Sequence, residues 1–190
     1  MFSVQSTASN QGFAKMNTKK TTTITFRIDK EYEKILRQES ESNGVSLNVL
    51  ANQIFRDYAE WHRYMETFGT IVMSRDAFKL IIDDLDEKNL ISLAVKIGES
   101  APREFILFKW KDLNADNVTS FMKMFFDHCG YGKYDHQTHL NKHIFSIRHD
   151  LGPRGSVFLK AYLEAVIQST LGKECISNVS ENSLTVTFEA

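Results

Sequence analysis

The chain lacks several features that mark whole classes of protein. Two cysteines in 190 residues, Cys129 and Cys175, are too few for a disulfide framework and fit the reduced state found inside cells. No apolar run approaches the roughly 18–20 residues of a membrane span, and the N-terminal stretch has no apolar core of a signal peptide. These absences predict a cytoplasmic protein that does not enter a membrane.

Common catalytic signatures are missing as well. There is no dinucleotide-binding fingerprint and no G-x-S-x-G motif, and the glycine-containing run 152–156 lacks the lysine and the spacing of a phosphate-binding loop. His149 and Asp150 are adjacent, so on a strand they point to opposite faces, and we expect Asp150 to cap the following helix instead. We therefore predict no catalytic residues and no enzymatic activity.

Acidic residues are absent from the first 28 positions. That stretch carries a charge of +4 from Lys15, Lys19, Lys20 and Arg27, although the whole chain has a formal charge of −1. Residues 1–20 are polar and aperiodic, which predicts a disordered basic arm. In a nucleic-acid-binding protein, Lys19 and Lys20 would contact phosphates; alternatively, the arm is only a solubilising tail.

An alternating strand follows the arm. Over residues 23–28, Ile24, Phe26 and Ile28 share one face, and Thr23, Thr25 and Arg27 share the other. An isolated strand of this length does not persist in water, and no second strand is predicted for about 40 residues, so we expect the same strand of a second copy to pair with it.

Two helices are predicted next. Asp29 stands at the first N-cap, the helix over 30–43 stops at Gly44, and Ser46 caps a longer helix that continues to Phe68. The order of strand, helix, Gly-Val-Ser turn and helix over residues 21–64 resembles the ribbon-helix-helix fold of the Arc, MetJ and CopG class of DNA-binding regulators.

This resemblance implies a homodimer whose antiparallel ribbon lies in the major groove of double-stranded DNA. By position, Thr23, Thr25 and Arg27 would read base edges, since arginine can donate two hydrogen bonds to guanine. The backbone N–H groups of Ser46, Leu47 and Asn48, at the start of the second helix, would hold a phosphate.

Residues 70–190 predict a separate α+β domain of about four helices and three to five short strands. Strands are expected at Ile71–Met73, at Phe105–Trp110, at His143–His149 and around Leu184, Val186 and Phe188. Helices are expected after Ser74, from Leu90 to Gly98, from Asn114 or Asp116 to near Gly130, and from about Pro153 to Leu171. The six aromatic residues of this domain that could line a ligand pocket are interpreted as core: Phe105, Phe108, Trp110, Phe121, Phe125 and Phe126.

Five of the six histidines fall between residues 128 and 149, together with one cysteine. Histidine and cysteine are preferred ligands of zinc, nickel and copper, so this segment is a candidate transition-metal site. The predicted ligands are His128, Cys129, His136 and His139. The alternative is a polar loop over Tyr131–Asn141 with solvated histidines and Cys129 packed as a small apolar side chain.

Together these patterns predict a sequence-specific transcriptional regulator with a disordered arm over 1–20, a ribbon-helix-helix domain over 21–68 and an α+β domain over 70–190. The C-terminal domain would sense a ligand or a partner. Two other functions stay open: an antitoxin-like or other protein-interaction module, and a metal-dependent regulator or enzyme that uses the histidine-rich segment.

Overall fold

The computed structural model describes residues 21–190, which divide into two compact units that meet at Asn52 and Gln53. The predicted basic arm with Lys19 and Lys20 lies outside the described residues. The sequence predicted the domain boundary after Phe68. In the second unit, however, Trp61, Tyr64 and Phe68 pack against the core, so the segment that precedes Gly69 contributes to that core.

The first unit consists of an extended entry segment and a pair of helices. Helix α1 spans Lys30–Ser42 and helix α2 begins at Leu47 and ends at Asp57. Gly44 has a φ of 64°, a left-handed conformation that costs glycine little, and the Val45 N–H donates to the Ser40 carbonyl at 2.9 Å. The Ser46 hydroxyl accepts the Val49 N–H at 3.2 Å, as expected of the predicted N-cap.

Residues 21–29 contain no helix or strand in the single chain. The strand predicted over 23–28 needs a second copy as its partner, so it stays a prediction. Helical conformation continues beyond α2 through a π-helical segment, Tyr58–His62, and α3, Arg63–Phe68, before Gly69 ends it with a φ of 63°.

The second unit is an α+β domain, as the sequence predicted. After α3 it contains α4 (Arg75–Asp84), α5 (Glu87–Trp110), α6 (Ala115–Cys129), β1 (Lys133–His139), β2 (Lys142–Arg148), α7 (Gly152–Leu171), β3 (Ile176–Ser180) and β4 (Ser183–Glu189). The strands form one antiparallel sheet in the order β1-β2-β4-β3. Within residues 21–190, no helix combines the length and hydrophobicity that a membrane span requires.

One face of the sheet is buried and the other is polar. Phe145 and Ile147 of β2 and Leu184, Val186 and Phe188 of β4 are almost fully buried on the same face, where they join the core formed with the helices. Alternation along each strand places polar residues on the opposite face. The strand predictions for 143–149 and for the C-terminal residues are confirmed.

The predicted strand at Phe105–Trp110 is wrong. These residues form the end of α5, which does not stop at Gly98 but runs for 24 residues through Pro102. A short apolar run without clear periodicity is compatible with both a buried strand and a buried helix, and the proline indicated that a helix ends before it. Burial of Phe105 and Ile106 on the same side of α5 as Leu90 and Ala94 decides for the helix.

The packing of α5 against α7 explains how proline is accommodated. Pro102 has no N–H to donate to the Gly98 carbonyl, and the Ser169 hydroxyl of α7 donates to that carbonyl at 3.4 Å. A Cβ atom on Gly98 would lie 2.5 Å from the Tyr162 carbonyl oxygen and 2.9 Å from the Ala165 Cβ. Glycine is therefore required where the two helices approach most closely.

Three other predictions in this unit need correction. Ile71–Met73 is not a strand but an extended segment without a partner strand in the described chain, with Val72 98% exposed. Most of Tyr131–Asn141 is not a polar loop, since it forms β1 and pairs with β2. Asp150 does not cap α7, which begins after Leu151 without a side-chain cap; Asp150 forms an ion pair with Arg75 instead.

The aromatic residues are mainly core, as predicted. Phe105, Phe121, Phe125 and Phe126 are buried and in contact with one another or with neighbouring rings. Phe108 differs, because 43% of its surface is exposed at the end of α5.

Candidate nucleic-acid interface

The three predicted base-reading residues lie in the extended segment that precedes α1. Thr23, Thr25 and Arg27 are all exposed. Each side chain is therefore accessible to a ligand, and a guanidinium and two hydroxyls supply both donors and acceptors. In the single chain these residues are accessible but do not form a strand, because a strand needs a partner strand.

Apolar residues of the same segment and of α1 are also exposed. Ile24 is 65% exposed and Ile28 is 51% exposed, and on α1 Tyr32 and Ile35 are 61% and 59% exposed. Single exposed apolar residues are ordinary on protein surfaces, but four along one short stretch of a small unit form an apolar surface that a partner could bury.

The start of α2 presents backbone donors. The first N–H groups of any helix have no partner within the helix, and here the Val49 N–H is satisfied by the Ser46 hydroxyl. The N–H groups of Leu47 and Asn48 remain available at the positive end of the helix dipole. This geometry suits an anionic group such as a phosphate.

The predicted metal ligands are dispersed. His128, at the end of α6, donates through Nδ1 to the Asp57 carboxylate at 2.8 Å, and its ring stacks on Trp61. Cys129 is half-buried, and burial raises the pKa of its thiol to about 12, which disfavours the thiolate that binds metals. His136 and His139 are three residues apart on β1, so they point to opposite faces of the sheet.

His136 instead faces the neighbouring strand. Its Nε2 lies 3.1 Å from the Nδ1 of His143, and the same Nδ1 lies 3.2 Å from the hydroxyl of Thr119 on α6. Burial is the main cause that lowers the pKa of both histidines. In the described part of the chain, no three His, Cys, Asp or Glu residues are grouped so that they could hold a metal ion.

His149 and Ser156 form a hydrogen-bonded pair that could be mistaken for a catalytic one. The His149 Nε2 lies 2.9 Å from the Ser156 Oγ, but the Ser156 hydroxyl donates to the Ser180 carbonyl at 2.6 Å, and the Leu151 N–H donates to the His149 Nδ1 at 3.3 Å. These bonds assign the proton to Nε2 and leave the serine without a base. The pair is buried and ties β2, α7 and the β3–β4 hairpin together.

The second unit also has a broad open cleft of about 1600 Å³ at one end of the sheet. Lys133 and Arg148 are opposite each other in the β1–β2 ladder and line it, together with Ser146, Ser183 and Glu181. Charges of both signs therefore surround the cleft. Sequence reasoning missed it, because the lining residues come from elements that are far apart in the chain.

Two arginines that the sequence did not single out position α4. Arg75 donates through Nε to the Gly130 carbonyl at 3.1 Å and pairs through Nη1 with Asp150 at 3.0 Å. Arg154, on α7, donates through Nε to the Ile82 carbonyl at 2.8 Å and also donates to the Leu85 carbonyl, which satisfies acceptors at the end of α4.

Comparisons of the chain with protein-family models and with curated proteins found no match.

Proposed function

We propose that the protein is a homodimeric, sequence-specific DNA-binding transcriptional regulator. The observation that carries the proposal is the exposure of alternate apolar residues in the segment that precedes α1. Ile24 and Ile28 are exposed in the single chain, and the segment directly precedes a pair of helices, the second of which is capped by Ser46. A strand contributed by a second copy would complete both the backbone pairing and the apolar packing.

In this dimer the two segments form an antiparallel ribbon. Ile24 and Ile28 face the helices of the dimer and are buried with Tyr32 and Ile35, while Thr23, Thr25 and Arg27 face outward. Full burial of an apolar side chain of this size contributes roughly 1.5–3 kcal/mol, so burial of these four side chains favours association. The outward residues enter the major groove and read bases.

The helix pair positions the ribbon on the DNA backbone. The N–H groups of Leu47 and Asn48 hold one phosphate in each half-site, with Ser46 fixing the start of α2. Lys19 and Lys20 precede the ribbon in sequence and add phosphate contacts. Phosphate contacts make binding dependent on salt, whereas base contacts make it dependent on sequence.

The second unit carries the regulatory role. Its open cleft and the polar face of its sheet supply accessible surface for a ligand or a partner, and its core is independent of the ribbon. Ligand sensing and DNA binding are therefore assigned to different units of the chain.

Selection of duplexes from a random library tests the function. The wild-type protein should enrich a two-fold symmetric site, and Arg27→Ala should lose preference at one base position in each half-site, with a cost of about 1–3 kcal/mol for that base. Arg37→Ala removes the same charge from α1, where Arg37 pairs with Glu33, and should retain the preference.

Equal weakening of all sequences by Arg27→Ala would assign Arg27 to a phosphate and remove it as a base reader. Absence of binding by the wild-type protein to any duplex at low salt would overturn the proposed function.

A further inference from the structure

We propose that the open cleft of the second unit binds a small phosphate monoester through Lys133 and Arg148. The terminal phosphate lies between these two side chains, and the organic part of the molecule occupies the rest of the cleft. This site names a ligand class for the unit to which the regulatory role was assigned, and in that respect alone it rests on the proposed function.

One row of residues crosses all four strands on the polar face of the sheet. Lys133 of β1 is opposite Arg148 of β2. Arg148 is opposite Ser183 of β4, which is in turn opposite Ser180 of β3. Residues paired in this way lie on the same face, with Cβ atoms about 4.5–5.5 Å apart. Two cations and two hydroxyls are therefore neighbours in the lining of the cleft.

The two cations of this row face each other without a counter-ion. Among residues 21–190 neither the Lys133 ammonium nor the Arg148 guanidinium has an ion-pair partner, and both side chains are exposed. Like charges directly opposite each other destabilise a sheet. The backbone nevertheless holds them together, since a Cβ atom on Gly132 would lie 2.4 Å from the Arg148 carbonyl oxygen, an approach that glycine permits. An anion between the two side chains would replace this repulsion with two attractions.

The acidic residues of the cleft do not neutralise these cations. Three of the four lining carboxylates are held by other groups: Asp150 by Arg75 at 3.0 Å, Asp135 by the Gln137 amide at 2.8 Å, and Asp127 by the Tyr134 hydroxyl at 3.3 Å. In the described part of the chain only the fourth, Glu181 in the turn between β3 and β4, has no side-chain partner. The cations are thus left free to bind an anion from solution.

Neutral donors lie beside the two cations. The Asn182 Oδ1 accepts the Gly152 N–H at 3.0 Å, which orients the amide and leaves its two Nδ2 hydrogens without an acceptor in residues 21–190. The hydroxyls of Ser180 and Ser183 also donate to no group within that range. All three residues line the cleft.

These donors match a phosphate monoester in charge and in number of acceptors. At pH 7 such a group carries roughly 1.5–2 negative charges on three acceptor oxygens. Arginine can bind two oxygens at once, and lysine supplies a second positive charge. A phosphodiester of a nucleic-acid backbone has a single charge and two free oxygens, so it would use the pair of cations less well.

Titration of the full chain with methyl phosphate tests the site. In two-dimensional NMR at constant ionic strength, the backbone amide signals of Lys133, Arg148 and Ser183 should shift and reach saturation. Dimethyl phosphate, the matching diester, should bind at least about 10-fold more weakly. Equal binding of the two compounds would point to a nucleic-acid backbone as the ligand and overturn the inference.

Arg148→Gln should weaken the binding of methyl phosphate at least about 10-fold, because it removes the bidentate charged contact. Lys142→Gln is the matched control. It removes the same charge from the same face of β2, about 20 Å from Arg148, and should leave the affinity within about 2-fold of wild type. Equal weakening by the two substitutions, or shifts spread over all exposed basic residues, would show general charge attraction and overturn the inference.

The outcome for this site can be separated from that for the proposed function. A chain that selects its DNA site but does not bind methyl phosphate would overturn the inference and leave the proposed function intact. A chain that binds methyl phosphate through Arg148 but selects no duplex would support the site and overturn the proposed function.

Discussion

Ser156 shows how much of the second unit depends on single polar contacts. Its hydroxyl is fully buried, accepts from His149 and donates to the Ser180 carbonyl. One side chain therefore satisfies groups from two other elements. Lys109 is similar: its ammonium donates to the Glu60 carbonyl in the π-helical segment and lies 4.6 Å from the centre of the Tyr64 ring.

We expect Ser156→Ala to destabilise the second unit by about 1–3 kcal/mol, because it leaves the buried His149 imidazole N–H without a partner. Urea unfolding followed by tryptophan fluorescence would measure the change. Ser146→Ala, on the exposed face of β2, is the control and should change stability by less than about 0.5 kcal/mol. An equal effect of the two substitutions would contradict the structural role of Ser156.

Three fully or partly buried histidines predict a loss of stability in acid. Burial lowers the folded-state pKa of His136, His143 and His149 from the ordinary value of 6.5, although Asp150 opposes the shift at His149. The unfolded chain then binds more protons than the folded chain as the pH falls below about 6.5, so stability decreases with decreasing pH in that window. Above it all three are neutral in both states and contribute no such dependence.

Denaturant unfolding from pH 8 to pH 5 would test this effect. The free energy of unfolding should fall as the pH decreases through about 6.5, and His143→Gln should flatten the decrease. Measurements at pH 8 supply the baseline for each protein, since they separate lost packing from lost proton linkage. A His143→Gln variant with the wild-type pH dependence would show that His143 does not contribute.

At the scale of elements, the contact between α5 and α7 organises the second unit. Close approach at Gly98, burial of Leu90 and Ala94, and the Ser169 bond to the Gly98 carbonyl all occur along the same helix pair. The contact keeps α5 continuous through Pro102. A proline in a helix interior ordinarily costs about 3 kcal/mol, and the Ser169 hydroxyl offsets part of this cost.

Gly98→Ala should therefore destabilise the unit, even though alanine favours helices by about 1 kcal/mol over glycine. Overpacking against the Tyr162 carbonyl and Ala165 costs about 1–3 kcal/mol and outweighs that gain. Thermal unfolding would measure the net effect, with Ser100→Ala on the exposed face of α5 as the control. A Gly98→Ala variant more stable than wild type would show that the helices can separate without cost.

At the scale of the whole molecule, the proposed dimer determines whether the first unit is stable. Its residues 21–35 expose apolar side chains that a single chain does not bury. If the unit forms the proposed dimer, its folding is coupled to association, and its stability should depend on protein concentration.

Ile28→Asp should weaken the ribbon dimer at least 100-fold, because a carboxylate would replace an apolar group in a buried interface. Hydrogen exchange of α1 amides would reveal the loss as faster exchange, while amides of the second unit keep their protection. Thr25→Ala changes the outward face of the proposed ribbon and should keep α1 protected while it alters DNA selection. Unchanged protection of α1 in Ile28→Asp would contradict the ribbon.

How much of the structure the sequence predicts depends on how far apart in the chain the interacting residues are. The capped starts of α4 and α6 were predicted correctly, because Ser74 and Asn114 accept from N–H groups three residues ahead. β2 and β4 were predicted as well, since the alternation of apolar and polar residues along a strand indicates which face is buried. The arrangement of the histidines was not predicted correctly. His136 and His139 are close in sequence and were expected to share a metal site, but on β1 they point to opposite faces.

The sequence by itself determined most of the local elements, the helix caps at Ser46, Ser74 and Asn114 and the α+β class, because these follow from neighbouring residues and from the period of apolar positions. Only the tertiary structure decided that Phe105–Trp110 is helical, that His149 bonds to Ser156, and that β3 is an edge. Each of these depends on residues brought together from distant parts of the chain, and the order of strands in the sheet leaves no periodic trace in the sequence.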